Sequence, residues 1–237
     1  MSKNRRQRLG QHFLISQNIA HEIVNSAQIT TNDIVFEVGT GRGVLTELLH
    51  DKAKSVITIE ADDLLYSDAI LKFSKIPNLE IMFGDGFEYD ADFTIFVSNL
   101  PYSQSKRAIE WLAQKKFKRA VLMVQEEFAE KLLAKKREIH AITIIADYCF
   151  KIEKIIKVGK NNFSPPPKVD SVVLRLRPKR QISKDLIDSI EKLFSQRRKT
   201  ISNIAKSFGR YIKSDKRLEE LETNEIIDIA KIGRAHV

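Results

Sequence analysis

Short apolar runs alternate with amphipathic ones through the first two thirds of this chain, and that rhythm leaves few folds open. "IVFEV" (Ile34–Val38), "SVITIE" (Ser55–Glu60), "LEIMF" (Leu79–Phe83), "FTIFVS" (Phe93–Ser98) and "AVLMVQ" (Ala120–Gln125) read as buried strands. Helical patterns lie between several of them, such as "GVLTELLHDKA", which is apolar at positions 44, 45, 48 and 49. Such alternation predicts a parallel sheet with helices on both faces. In sheets of this kind ligands sit beyond the carboxyl ends of the strands. The residues just after each run are therefore the ones to inspect.

The pattern changes along the chain. Residues 139–158, "IHAITIIADYCFKIEKIIKV", are apolar and fit helix or strand equally well. "SPPPK" (Ser164–Lys168) is a stiff connector, and "DSVVLRLRP" (Asp170–Pro178) alternates like a late strand. Beyond Pro178 the apolar positions 186, 187, 190, 193, 194, 201, 204, 205 and 208 fall at helical spacing, with Ser183 placed to cap the first turn. The expected organisation is a main domain over residues 1–178, opening with a basic arm at 1–8, and a small helical domain over 179–232. The last six residues, "IGRAHV", match nothing before them. Reading through a common sequencing adapter yields the same six, so 233–237 is treated as a non-native tail. A genuine polar tail is the alternative, and no function is placed on Gly233–Val237.

Charge narrows the class of partner. The net charge is +9, but it is unevenly spread. Residues 1–8 carry four basic side chains and no acid, residues 9–150 have a net of −5, and residues 151–237 a net of +10. An ordinary solvated surface explains any single lysine; segregation on this scale favours a nucleic-acid surface. Hydrophobic residues make up 43% of the 237, enough for a core and too many for disorder. No apolar run approaches the roughly 20 residues that span a bilayer, and no apolar signal core follows the basic start, so a cytoplasmic protein is expected. The lone cysteine, Cys149, sits in an apolar stretch and reads as a buried, inert thiol.

Two motifs carry chemistry. In "FEVGTGRGVL" (Phe36–Leu45) a strand runs into Gly39, Gly41 and Gly43 and then a helix. Glycine allows a tight turn and a close ligand approach. Glu60 ends the next strand, 19 residues after Gly41, where a carboxylate can accept both hydroxyls of a ribose. Asp85, in "FGDGF", ends the third strand, where an adenine amine can be held. Carboxylates at strand ends also serve as plain turn formers. The glycine spacing differs from the dinucleotide pattern, and Glu37 just before the loop suits an amine better than a pyrophosphate. S-adenosylmethionine, with ribose, adenine and an amino acid but no phosphate, is favoured over NAD. No metal site is expected.

The second motif, "NLPY" (Asn99–Tyr102), follows the fourth strand and so shares the same edge. An exocyclic amine on a base is a poor nucleophile because its lone pair is delocalised into the ring. The Asn99 amide oxygen and a backbone carbonyl near Leu100 can accept its two hydrogens and aim the nitrogen at a methyl donor. Pro101 fixes the local backbone and biases Leu100 away from helix. Tyr102 can stack on the base, which must be unpaired or extruded to arrive. The same four residues also suit a helix-entry turn with a core tyrosine.

Together with "GQHFL" (containing His12 and Leu14), "VFEVGTGRG", "NNFSPPPKVDSVVLRL" (Asn161–Leu176) and "FSQRRKT" (Phe194–Thr200), the "NLPY" motif makes the chain resemble the small-subunit rRNA adenine N6-dimethyltransferases, the kasugamycin-resistance type. The likeness runs over nearly the whole chain in order, and the compact helical annex resembles archaeal members most. It implies a Rossmann-like class I S-adenosylmethionine-dependent methyltransferase domain with a small C-terminal all-helical domain. By motif, His12 and Leu14 border the cofactor, with His12 standing where many members have Asn. Gly39 and Gly41 form the loop, Glu60 holds the ribose and Asp85 the cofactor adenine. Asn99 binds cofactor and target amine together, with Leu100 and Pro101 beside it. Tyr102 and Phe163 sandwich the target adenine; taken alone, Phe163 reads as a core residue. After "NLPY" this chain departs from its relatives with "SQSKRAIEW", so Lys106 and Arg107 are open between RNA phosphate and solvent. Arg197, Arg198 and Lys199 suit phosphate contact.

The resemblance implies two methyls transferred to each of two adjacent adenines in the 3′-terminal hairpin loop of small-subunit rRNA, by a monomer acting on an assembling subunit. A large-subunit rRNA methyltransferase of the macrolide-resistance type, and a non-catalytic assembly factor on the same fold, are the alternatives. "FSPPPKVDSVVLRL" and "FSQRRKT" argue against the first, and the intact "NLPY" and glycine loop against the second.

Overall fold

Each of the five expected runs contains a strand, and the residues at their ends explain where pairing starts. A computed structural model describes residues 11–135, 138–207, 209 and 211–232. The basic arm at 1–8, position 208 and the tail at 233–237 lie outside the described residues. The strands are β1 (Phe13–Leu14), β2 (Ile34–Val38), β3 (Ser55–Glu60), β4 (Leu79–Phe83), β5 (Ile95–Ser98), β6 (Arg119–Gln125), β7 (Phe150–Val158), β8 (Phe163–Ser164) and β9 (Ser171–Pro178). Seven form one sheet in the order β4-β3-β2-β5-β6-β9-β7. β4, β3, β2, β5 and β6 run parallel, and β9 pairs antiparallel with β6. The order reverses at β2: the chain moves outward through β3 and β4, then returns to β2's other side as β5. That reversal opens a crevice at the carboxyl ends of β2 and β5. β1 and β8 make a separate antiparallel ribbon that registers Phe13 with Ser164 and Leu14 with Phe163.

The helices are α1 (Gln17–Ala27), α2 (Thr46–Leu49), α3 (Asp63–Phe73), α4 (Ser105–Leu112), α5 (Glu126–Leu132), α6 (Ala141–Cys149), α7 (Lys184–Ser195), α8 (Ile201–Ser207) and α9 (Thr223–Ile232). In α1 the Ser16 hydroxyl accepts from the Ile19 N–H, and Ala20, Ile23, Val24 and Ala27 are buried at helical spacing against β5 and β6. Gln28 ends it in the left-handed region at φ 49°. Arg119 on β6 donates to the Ala27 carbonyl at 2.6 Å, so a cation meets the negative end of the helix.

At the amino ends of β2, β5 and β6 a single carboxylate joins three segments. Asp33 Oδ2 accepts from the Thr30 N–H and hydroxyl, and Oδ1 from Thr94 Oγ1 at 2.8 Å and Lys118 Nζ at 2.8 Å. Thr94 Oγ1 also accepts from the Ile34 N–H, which is why β5 begins at Ile95 and not at Phe93. Burial alone would raise the Asp33 carboxyl; the Lys118 ammonium and the Thr30 and Thr94 donors outweigh it and hold the group well below the usual range. A depressed native pKa adds stability above the unfolded value, about 4, and loses it as pH falls below that. Asp33→Asn should therefore lower unfolding free energy by ~2–3 kcal/mol at pH 7, with the gap closing toward pH 3 in urea titrations.

The residues form two compact units that interleave along the chain. One comprises residues 11–108, Lys116–Ala129 and Glu153–Arg177; the other comprises Ile109–Lys115, Glu130–Ile152 and the chain from Pro178. The sequence expectation drew one linear boundary after residue 178. In the second unit α6 packs with α7 and α9, so a segment before that boundary joins the helical cluster. The ambiguous run 139–158 is both things in turn: helix α6, opened by a His140–Thr143 capping box, then strand β7. The helical spacing beyond Ser183 is two helices, broken where Gln196 caps α7 with bonds to the Leu193 and Phe194 carbonyls. Ser183 caps α7 as its position predicts. Among the described residues no helix is long and apolar enough to cross a membrane.

Candidate active site at the carboxyl edge of the sheet

The loop after β2 turns on Gly39, Gly41 and Gly43, with φ of 84°, 57° and 75°. These are left-handed conformations that cost a side-chain-bearing residue energy. Glu60, at the end of β3, fixes the loop: its Oε2 accepts from the Gly41 N–H at 2.8 Å and its Oε1 from the Asp62 N–H at 2.9 Å. A Cβ on Gly39 would meet no atom within 4 Å, so the space above the loop is open. Gly43 is different, because a Cβ there would lie 2.5 Å from the Phe73 ring.

Beneath the loop Glu37 is buried, and its Oε2 accepts from the Thr46 and Thr58 hydroxyls at 2.7 and 2.6 Å. Burial pushes its carboxyl up to about 7; the Thr58 and Thr46 hydrogen bonds oppose that rise, and nearby Glu60 adds to it. Burial also raises the Glu60 carboxyl, against the Asp62 and Gly41 donors. A raised native pKa means stability that is full below the unfolded value and lost as pH climbs to the native one. The Glu37 contribution thus disappears between about pH 4.5 and 7. Relative to wild type, Glu37→Gln should gain ~2 kcal/mol in unfolding free energy between pH 5 and pH 8, measured by urea denaturation at each pH.

The β1–β8 ribbon supplies another wall. Phe13 lies against the glycine loop, with its ring 3.6 Å from a Cβ position on Gly41 and the Arg42 guanidinium 4.7 Å above it. His12 Nδ1 donates to the Pro165 carbonyl at 2.9 Å, which leaves Nε2 as the acceptor in the neutral ring. The His12 ring stacks on Tyr102, with centroids 5.5 Å apart. The Tyr102 phenol bonds Ser171 Oγ at 2.7 Å, and burial raises its pKa against that bond.

These parts meet in one open cleft. Of the residues singled out by sequence, His12, Leu14, Gly39, Gly41, Glu60, Asn99 and Pro101 line it, as does Glu37. Asn99 follows β5 and is part-exposed, and its amide has no hydrogen-bond partner among the described residues. Pro101 holds φ −52° and ψ 134°, ahead of a 3₁₀ turn over Tyr102–Gln104. Others stand apart from the walls. Leu100 is buried, and Tyr102 reaches the cleft through its stack on His12. Phe163 is 3% exposed, packed in the core and registered with Leu14. Asp85 accepts from the Phe87 N–H and pairs with Arg107, Nη1 to Oδ2 at 2.5 Å.

Sequence reading missed the threonines around Glu37, the His12–Tyr102 stack, the Ser171 anchor and the Asp85 partner. Thr40, Thr46 and Thr58 had a signal, since hydroxyls beside a buried carboxylate are its usual partners. The others join residues remote in the chain, and no local pattern marks them.

Comparison with known proteins gives a consistent answer. Residues 2–233 match the model of a family described as "Ribosomal RNA adenine dimethylase". A Thermotoga maritima protein named "Ribosomal RNA small subunit methyltransferase A" is 33% identical over 231 residues, covering 93% of this chain and 82% of that one. A Methanosarcina barkeri protein, "Probable ribosomal RNA small subunit methyltransferase A", is 37% identical over 202 residues, covering 81% and 70%. Among solved structures, a dimethyladenosine transferase from Plasmodium falciparum superposes with a TM-score of 0.78 at 29% identity, covering 92% of this chain and 96% of that one.

Proposed function

This chain belongs to the ribosomal RNA adenine dimethylase family, and from that premise we propose that it dimethylates N6 of two adjacent adenines near the 3′ end of small-subunit rRNA. It does so as a monomer in the cytoplasm, on an assembling small subunit, with S-adenosylmethionine as donor. One observation carries the reading: the Asn99 amide, without a hydrogen-bond partner among the described residues, stands on the same cleft as the Glu60-anchored glycine loop. The donor fits the residues present, because the space over Gly39 is open and two carboxylates, Glu37 and Glu60, line the walls. When bound, S-adenosylmethionine supplies an electrophilic methyl on a sulfonium.

Glu60 holds the donor's ribose hydroxyls; each of its oxygens accepts one backbone N–H and has a further lone pair. Glu37, once ionised, faces the donor's amino group as a countercharge. Donor affinity should therefore rise in wild type from about pH 5.5 to pH 7, below the range of about 7.7–8 where the donor's own α-amine loses its proton, and stay flat in Glu37→Gln, as calorimetric titrations would read. Asp85 accepts from the adenine amine of the donor. Asn99 accepts a hydrogen of the target amine and orients its nitrogen. Tyr102, fixed by Ser171, offers a stacking face that His12 covers in the structure. Phe163 serves as the second face only once its ring is uncovered.

The test is transfer of labelled methyl to undermethylated small subunits and, separately, to large subunits, followed by mapping. Dimethyladenine at two neighbouring small-subunit positions is expected. Label in large-subunit rRNA alone would overturn the substrate, and tight subunit binding with no donor consumed would overturn the reaction.

A further inference from the structure

The Tyr102 face that an extruded base would use is occupied by a ring of the protein's own. His12 and Tyr102 stack with centroids 5.5 Å apart and planes inclined by 28°. His12 lines the cleft together with Asn99 and Pro101, the residues that lead into Tyr102. The two rings are held unequally. The Tyr102 phenol is bonded to Ser171 Oγ at 2.7 Å, and Ser171 is wholly buried at the start of β9, in register with Gln125 on β6. Tyr102 is thereby tied to the main sheet. His12 precedes β1 and lies in no strand or helix. Among the described residues its ring makes one hydrogen bond, from Nδ1 to the carbonyl of Pro165, an exposed residue just after β8.

Stacking on an aromatic ring serves any base, because every base has a π-face. A base placed between two rings needs them about 7 Å apart, twice the stacking distance of about 3.4 Å. The present gap falls short of that by roughly 1.5 Å. A movement of that size about a single surface tether opens the space while Tyr102 stays where Ser171 holds it. The ring-on-ring contact of the free protein is then exchanged for two ring-on-base contacts. Phe163, 3% exposed and registered with Leu14, keeps its place in the core throughout. Asparagine, which many relatives carry at position 12, has no ring to offer.

We propose that His12 is the movable jaw of a clamp on the target adenine and Tyr102 the fixed one, so that the base is stacked between these two rings. This rests on the reaction proposed above and adds to it a positioning residue.

Single-turnover methyl transfer to undermethylated small subunits tests the assignment with His12→Phe, His12→Asn and His12→Ala beside wild type. Calorimetry with S-adenosylhomocysteine gives the donor affinity of each protein, so that every rate is taken at saturating donor. Phenylalanine keeps a ring and loses the bond to Pro165; asparagine keeps a polar group and loses the ring. At saturating subunit, His12→Phe should stay within about twofold of wild type, while His12→Asn and His12→Ala should both be about tenfold slower, the loss expected for one stacking face. A slow His12→Phe beside a fast His12→Asn would make the Pro165 bond the feature that matters and overturn the clamp. Variants without the ring that run faster than wild type would make His12 a plug displaced by the base, and equal rates for all four would leave it no part in the reaction; either result overturns the clamp while methylation itself stands. If wild type modifies no subunit, the proposed reaction falls and the clamp with it.

Discussion

Replacing Asn99 with alanine should lower turnover about 10²- to 10³-fold with subunit binding largely retained. The reason lies in the role proposed for the amide. The target amine is conjugated with its ring, so the protein gains by accepting a hydrogen and fixing the nitrogen's direction, which matters most as the bond to the methyl forms. Asn99 follows the last residue of β5, Ser98, whose hydroxyl is bonded to the Val38 carbonyl at 2.5 Å. Its backbone is thus tied to β2, and Pro101 stiffens the other side. Truncation removes the acceptor without disturbing that frame. Single-turnover methyl transfer separates chemistry from binding. Equal single-turnover rates for wild type and Asn99→Ala would refute the role.

Glu60→Ala should weaken donor binding by about a hundredfold and cost the apo protein ~1–3 kcal/mol as well. Two losses coincide. On the proposed reading the ribose loses its acceptor, and the Gly41 and Asp62 N–H groups lose the carboxylate that places the loop. Glu60→Gln keeps an acceptor oxygen, though no longer a charged one, and should fall between wild type and alanine in both measurements. Titration with S-adenosylhomocysteine and urea unfolding of the three proteins read the two effects. An unchanged dissociation constant in Glu60→Ala would remove the ribose from this corner of the cleft.

Strand positions were legible because a parallel strand reads as a short, mostly apolar run; β2 is buried as expected, whereas β4, at the sheet edge, is part-exposed with Phe83 50% exposed. "IVFEV", "SVITIE" and "LEIMF" are β2, β3 and β4 residue for residue. The glycine loop was legible for a similar reason, since left-handed turns favour one residue type. The run 139–158 was not, because its apolar residues satisfy both periods and only the His140–Thr143 cap settles where helix begins. Side-chain pairing across the fold was not legible either. Arg107 with Asp85, and Tyr102 with Ser171, join residues 22 and 69 apart in the chain, and nothing near either partner names the other. Phe163 shows the limit from the other direction: an aromatic before a proline-rich connector gives no sign of whether its ring faces a pocket or, as here, the core.

The small ribbon of β1 and β8 bears on when the enzyme becomes competent. Ile15 N–H donates to the Asn162 carbonyl at 2.9 Å, and His12 meets Pro165, so the rim of the cleft is sewn from segments translated far apart. A nascent chain stalled near residue 150 has made β2 through β6 but still lacks the strand that holds Phe13 and Leu14 in place. Ribosome-bound intermediates of that length should take up donor poorly even with the glycine loop and Asn99 already synthesised, and competence should appear abruptly once Pro165 has cleared the exit tunnel.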